Sequence, residues 1–253
     1  MDYKDFSQHT YKKLIEALQI SGYAFQPFEE FLQSPKEKVV VLRHDIDLKA
    51  KNALQIAQIE HNLGIKASYY FRVVPQSNKP EIIKAIVALG HEIGYHYEDV
   101  TLCKGNMQQA IHHFEKQLQY FRQFYPVKTV CMHGSPTSKY DNRTLWQQYN
   151  YKDVGLIGEP YFDVDFTKVF YLTDTGRCWD GERYSVRDKV KSSFTLHFHT
   201  TDEIIIAAKA GKLPKQVMIT THPQRWTTNL FAWAWELVLQ SAKNQVKRVI
   251  NCQ

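Results

Sequence analysis

Apolar runs and helical repeats alternate along most of this chain. The first strong run is Val39-Val40-Val41-Leu42, four apolar residues in a row, which predicts a strand buried on both faces as in a parallel sheet. Before it, residues 8–22 carry Leu14, Ile15 and Leu18 on one side of a helix, with Gly22 as terminator. After it, a helix over about 48–62 ends at Gly64. A strand over 67–71 follows, and then a helix opened by Pro80 with Ile82, Ile86 and Leu89 on one face. Glu92 to His96 reads as a short strand. Met107, Ile111, Phe114, Leu118 and Phe121 repeat at helical spacing, and Lys128 to Met132 is the next strand. In the second half, 169–173, 194–198 and 217–220 read as strands, residues 174–192 as loop, and about 229–248 as a last helix. Strand alternating with helix at this rhythm predicts parallel βα units forming a barrel-like or open sheet. No repeat or linker divides the chain, so 1–253 reads as a single domain.

Polar clusters stand where the strands should end. The run from Val39 breaks into Arg43-His44-Asp45-Ile46-Asp47, and Asp45 and Asp47 share one side of an extended chain. Two carboxylates at the carboxyl end of a buried strand need a cation or a shared proton between them, and ligands bind at that end of α/β sheets. The competing reading, Asp47 as a helix cap, accounts for one aspartate and leaves the rest of the cluster unexplained. Further clusters are Gly90 to Glu98, with His96 and Glu98 two apart; His133 in His-Gly-Ser-Pro; Thr173 to Asp180, with Asp174 and Trp179; and Thr221-His222-Pro223-Gln224-Arg225-Trp226. One Asp and two His from different strand ends can hold Zn²⁺ or a similar divalent ion with positions open for water and substrate. A second aspartate can then serve as base and another histidine as acid. Trp179 and Trp226, beside Arg177 and Arg225, suit either the core or a sugar-binding wall. His91 and the pair His197 and His199 read as structural, and His112 and His113 as solvated.

Composition narrows the classes. A 253-residue chain with 43% hydrophobic and 13% aromatic residues can build a real core. The net charge of +6 and pI near 9.0 come from scattered residues, Lys243, Lys247 and Arg248 apart. No basic arm suggests nucleic acid, and a mild bias toward anionic, phosphorylated or nucleotide-linked substrates remains. Cys103, Cys131, Cys178 and Cys252 form no CxxC pair. With a polar start and no apolar run near the ~20 residues that cross a bilayer, the expectation is reduced thiols in a cytoplasmic protein.

The motif order from Arg43 to Trp226 resembles the polysaccharide deacetylase superfamily, carbohydrate esterase family four. More specifically, it resembles a bacterial branch, in surface-polysaccharide biosynthesis, whose first motif reads His-Asp-x-Asp in place of Thr-Phe-Asp-Asp. The resemblance implies a distorted (β/α) barrel of about seven parallel strands and a bound divalent metal, Zn²⁺ foremost. It also implies removal of an acetyl group from a sugar. It assigns Asp45 as base, Asp47, His96 and His133 as metal ligands, and His222 as acid. Arg43, Glu98, Asp174, Trp179, Arg225 and Trp226 would line the substrate. This chain departs from the family in three places. Ile46 separates the aspartates, leaving open which one binds metal. Val100 stands where a second motif histidine belongs, so His133, with Glu98 as rival, completes the ligands. The arginine that orients the base is missing from its usual place. The resulting expectation is an enzyme cleaving a C–N bond of a small, nucleotide-linked or lipid-linked acetylated sugar. The alternatives are a carbohydrate-binding scaffold without turnover and a hydrolase of non-sugar amides.

Overall fold

The computed structural model describes residues 4–251, except 136, 182–184, 186 and 188, with backbone alone at 246–251. Residues 1–3, Cys252 and the side chains of Val246, Lys247 and Arg248 therefore lie outside the described set.

Seven strands form one parallel sheet: β1 (Ala24–Gln26), β2 (Val39–Ile46), β3 (Ser68–Phe71), β4 (Glu92–Tyr97), β5 (Val130–Met132), β6 (Phe170–Thr173) and β7 (Gln216–Thr221). Their order is β5-β4-β3-β2-β7-β6. β1 pairs with the first half of β2 (Ala24 opposite Val39), on the edge where β3 takes the second half (Arg43 opposite Ser68). Nine α-helices connect and cover the described strands: α1 (Gln8–Ile20), α2 (Phe28–Gln33), α3 (Ala50–Asn62), α4 (Pro80–Ala88), α5 (Asp99–Leu102), α6 (Met107–Arg122), α7 (Pro160–Asp163), α8 (Thr201–Lys209) and α9 (Leu230–Asn251). Among the described residues β5 and β6 do not pair, so the sheet curls as an open half-barrel.

Strand β2 is central because it is buried along its whole length and flanked on both edges. Its alternation sorts two cores. Val40, Leu42 and Ile46 face the helices, in the large cluster with Leu14, Ile56, Phe114 and Ile204. Val39 and Val41 face the concave side with Phe28, Tyr70, Cys131 and Met218. Gly94 on β4 lies opposite Tyr70, whose ring a Cβ there would meet at 2.3 Å, so only glycine lets that ring cross the inner face. The predicted helix end at Gly64 appears as a glycine at φ +70°, and Gly90, after α4, takes φ +88°.

Three local expectations change. Residues 194–198 form no strand, and Phe194 and Phe198 instead pack their rings on Phe170. The strand that completes the count is β1, too short to show a period in sequence. Helix α8, set by a Thr200–Glu203 capping box, was not read from the chain.

Opposite the concave face, a buried polar cluster ties the layers together. His44 Nε2 lies 2.7 Å from Glu60 Oε1 and its Nδ1 lies 2.7 Å from Thr221 Oγ1. Tyr11 and Tyr69 donate their hydroxyls to the same Glu60 carboxylate, Tyr69 at 2.6 Å. One residue along β2 therefore changes face: His44 joins this cluster while Arg43 and Asp45 point the other way.

Candidate metal centre

The carboxyl ends of β2, β4, β5 and β7 open into one cleft, lined by Arg43, Asp45, Asp47, His96, His133 and His222 among others. Asp45 is the penultimate residue of β2, and the Asp47 amide turns back to donate to the Asp45 carbonyl at 3.2 Å, so both carboxylates reach the cleft. Asp47 does not cap the next helix, because the residue at that cap is Lys49, in a left-handed turn without a side-chain cap.

Asp47 Oδ1, His96 Nε2 and His133 Nδ1 form a triangle with edges of 3.1, 3.3 and 3.6 Å. A tetrahedral zinc ion with N/O ligands at about 2.0–2.1 Å separates its ligand atoms by about 3.3 Å. The three atoms thus stand where the vertices around one ion would stand, and they belong to a group able to hold a metal. Their chemistry agrees with the spacing. His96 Nδ1 lies 2.9 Å from the Cys131 carbonyl, which can only accept, so the proton sits there and the Nε2 lone pair faces the cleft. Burial, only partly offset by Asp45, lowers the His96 pKa to about 4, which keeps the ring neutral. Asp47 Oδ1 is buried and no donor is directed at it. Burial would push the Asp47 carboxyl up, but His133, His222 and His96 outweigh it and hold it well below the usual range. An anionic oxygen and a neutral imidazole, each with an unused lone pair, fit a divalent cation. Glu98, the rival ligand, is held instead by Arg72 at 2.8 Å and Ser135 at 3.2 Å, and reaches only 3.9 Å from His133 Nε2. A second group of possible donors joins Asp45 and His96 to the Cys131 thiol.

Arg43 grips Asp45 in a two-pronged pair, Nε to Oδ1 at 2.9 Å and Nη2 to Oδ2 at 2.6 Å, and also donates to the Tyr161 hydroxyl at 3.2 Å. Burial would raise the Asp45 carboxyl; Arg43, His96 and His222 outweigh it and hold it at about 2. An arginine two residues before the aspartate thus fixes the orientation of the Asp45 carboxylate. Arg43 was expected on the substrate, but two of its nitrogens are committed to these partners, while Nη1 makes no hydrogen bond.

Across the cleft, Asp174 holds His222. Its Oδ1 lies 2.6 Å from His222 Nδ1 and 2.5 Å from an Arg225 nitrogen, and its Oδ2 accepts from the His222 amide and from Trp226 Nε1. Burial raises the Asp174 carboxyl, and Arg225 and His222 reverse this to a net lowering. An ionised Asp174 keeps the proton on His222 Nδ1, leaving Nε2 toward the cleft, 3.9 Å from Asp47 Oδ2. Asp174 and Arg225 were expected against substrate; their contacts here are to His222 and to each other, with Trp226 also donating to Asp174.

The tryptophans depart further from expectation. Trp226 is fully buried among Phe6, Tyr11 and Trp179, and Trp179 spends its N–H on Thr201. Neither forms an open sugar-binding wall, because each N–H has an internal acceptor and each ring fills core volume. His91 is structural as expected, bridging the Ala67 amide and the Ala57 carbonyl. His113, expected in solvent, is paired with Asp99 at 2.5 Å. Tyr161, Thr175 and Arg187 also line the cleft and were missed. Arg187 donates to the carbonyls of Gly134, Ser135 and Ser138, and nothing in its polar surroundings in sequence marks it.

No family model matches the chain, and no curated protein matches it. The solved structures it resembles include family 4 carbohydrate esterases. A CE4 family pseudoenzyme from Bacillus anthracis aligns at 14% identity and TM-score 0.44, over 85% of this chain and 63% of that one. The chain thus spans less than two thirds of that protein. A Streptococcus mutans CE4 esterase aligns at 14% identity and TM-score 0.44, over 91% and 89% of the two chains. A Streptomyces lividans family 4 carbohydrate esterase in complex with acetate aligns at 15% identity and TM-score 0.41, over 82% and 90%. No described helix is long and apolar enough to cross a membrane.

Proposed function

We propose that residues 1–253 act as one polysaccharide deacetylase-like domain, a metal-dependent hydrolase. It would remove the acetyl group of an N-acetylated sugar on a cytoplasmic precursor of a surface polysaccharide. The observation that carries this reading is the 3.1–3.6 Å triangle of Asp47, His96 and His133, with Asp45 on one side and His222 on the other.

Asp47, His96 and His133 would hold the ion, and two imidazoles with one carboxylate favour Zn²⁺. Once bound, a divalent ion supplies polarisation of the acyl carbonyl and a more acidic water. The remaining steps belong to the chain. Asp45, ionised and fixed by Arg43, accepts the proton of the attacking water. The C–N bond then breaks, and His222, acting as an imidazolium held at Nδ1 by Asp174, gives its Nε2 proton to the leaving amine; the water proton left on Asp45 then passes back to the imidazole and resets the pair. Acetate and the free amine are the products, and water supplies both the hydroxyl and the proton.

The direct test is metal content of the purified protein together with acetate release from a panel of N-acetylated sugars, free and nucleotide-linked. Stoichiometric metal and acetate release support the reading. Glycan binding by a metal-free protein without turnover would replace it with the scaffold alternative.

Two neighbours of the chemistry give sharper outcomes. Asp174→Asn is expected to lower kcat by about 10²–10⁴-fold, with little change in metal content, because the amide no longer fixes the His222 proton. An unchanged kcat would remove His222 from the acid role. Arg43→Gln is expected to raise the Asp45 pKa from about 2 and so move the acid limb of the kcat/KM profile to higher pH. An unmoved limb would mean that Arg43 does not position this carboxylate.

A further inference from the structure

His133 carries one corner of the metal triangle, yet it lies one residue beyond β5, a three-residue strand at the end of the sheet. Contacts outside the strand ladder therefore decide where its ring stands. The His133 amide donates to the Tyr97 carbonyl at 2.8 Å, and its own carbonyl accepts from Asn142 Nδ2 at 2.9 Å. Asn142 is fully buried at the start of a 3₁₀ turn (Asn142–Gln147). Its Oδ1 accepts from the Thr101 amide in α5 at 2.9 Å. One amide side chain thus joins the loop after β5 to the helix after β4, using its donor and its acceptor together.

The loop it holds is strained. Ser135 stands at φ +39°, a left-handed backbone that a serine keeps only where its surroundings impose it. Its hydroxyl donates to Glu98 Oε2 at 3.2 Å and lies 3.4 Å from Asn142 Nδ2, and its carbonyl accepts from Arg187 at 2.7 Å. Glu98, buried and paired with Arg72, comes to 3.9 Å from His133 Nε2. The imidazole therefore has a carboxylate behind it, with Nδ1 turned toward Asp47 and His96. Nδ1 is the ring nitrogen nearer the main chain, so a displacement of the His133 backbone moves it by nearly the same amount. Edges of 3.1–3.6 Å around one ion leave little room for such a displacement.

We infer that Asn142 is the positioning residue that makes His133 a metal ligand, by pinning the His133 carbonyl to α5 and bracing the strained turn at Ser135. The inference rests on the metal reading above. Asn142 does not line the cleft, so it acts on the site through His133 alone. Without its donor the turn relaxes and carries Nδ1 away from the other two corners, which leaves Asp47 and His96 as the remaining ligands.

The test is titration calorimetry of Zn²⁺ into the full chain as wild type, Asn142→Leu, Asn142→Ala and Tyr69→Phe. Leucine keeps the size of the side chain and removes its donor and acceptor; alanine is the second variant should leucine not be accommodated. Tyr69→Phe removes one buried hydrogen bond to Glu60 behind the sheet and controls for lost stability. The Asn142 variants are expected to bind Zn²⁺ about 10–100-fold more weakly, the range for outer-shell partners, and Tyr69→Phe to stay within about threefold of wild type. The visible bands of bound Co²⁺, which report ligand set and geometry, should shift in the Asn142 variants and match wild type in Tyr69→Phe. Wild-type affinity in the Asn142 variants, an unshifted Co²⁺ spectrum, or an equal loss in Tyr69→Phe would each overturn the inference and leave the metal reading standing. A wild type that binds no Zn²⁺ would overturn both.

Discussion

Replacing Asp47 or His96 with alanine is expected to lower the affinity for Zn²⁺ by more than about 100-fold, beyond the loss typical of an outer-shell partner. Each contributes one corner of a three-atom site, while Glu98 and His222 approach at 3.9 Å the far atoms of His133 and Asp47, Nε2 and Oδ2, which are not corners of it. Asp45→Asn should behave differently. Its carboxylate is engaged by Arg43 on both oxygens, so metal affinity should stay within about tenfold, while turnover falls by about 10²–10⁴-fold. Titration calorimetry with Zn²⁺ measures the first effect and acetate release the second. A thermal scan adds an independent reading, since metal at a hundred times its Kd stabilises a folded protein by about 2.7 kcal/mol. That gain should disappear in the Asp47 and His96 variants and persist in Asp45→Asn. If Asp45→Asn abolishes metal binding while Asp47→Ala keeps it, the assignment of the two aspartates is reversed.

Glu60→Ala should be the most damaging change away from the cleft, costing about 3–5 kcal/mol of unfolding free energy. Glu60 is fully buried on α3 and takes hydrogen bonds from His44 on β2, Tyr11 on α1 and Tyr69 on β3. Removing it leaves three buried donors without their acceptor. The same cluster gives a pH dependence with a definite sign. Burial raises the Glu60 pKa, His44 outweighs burial, and the folded value lies below the ordinary value of 4.5. The contribution is therefore complete above about 4.5 and is lost as pH falls through the lower, folded value. Urea unfolding at neutral and acidic pH would show it as a gap between wild type and variant that narrows in acid. A loss under about 1 kcal/mol at neutral pH would mean the cluster does not hold the layers together.

Some of this molecule can be read along the chain because the relevant information is local. A four-residue apolar run bounded by charges identifies β2, and the spacing of Met107, Phe114, Leu118 and Phe121 identifies α6. The two-residue period of an extended chain predicts that Asp45 and Asp47 can share a site, and both do line one cleft. Local information fails where a residue's partner lies on another strand. Trp226 carries the same aromatic and polar character in a sugar wall as in a core, and only the presence of Phe6, Tyr11 and Asp174 around it decides. The 194–198 run has strand-like composition, but no neighbouring strand offers it a ladder.

By itself, the sequence determined the α/β alternation, the strand at the centre, and the acidic and imidazole groups at the strand ends, because periodicity and residue chemistry are properties of the chain. The tertiary structure alone decided that Asp47, His96 and His133 converge within 3.6 Å. It alone turned Arg43 onto Asp45, put His44 with Glu60 behind the sheet, and left the apolar side of α9 facing outward. The reason for the triangle is that its distances depend on strand order, register and crossover, which join residues more than thirty positions apart and which no local pattern encodes.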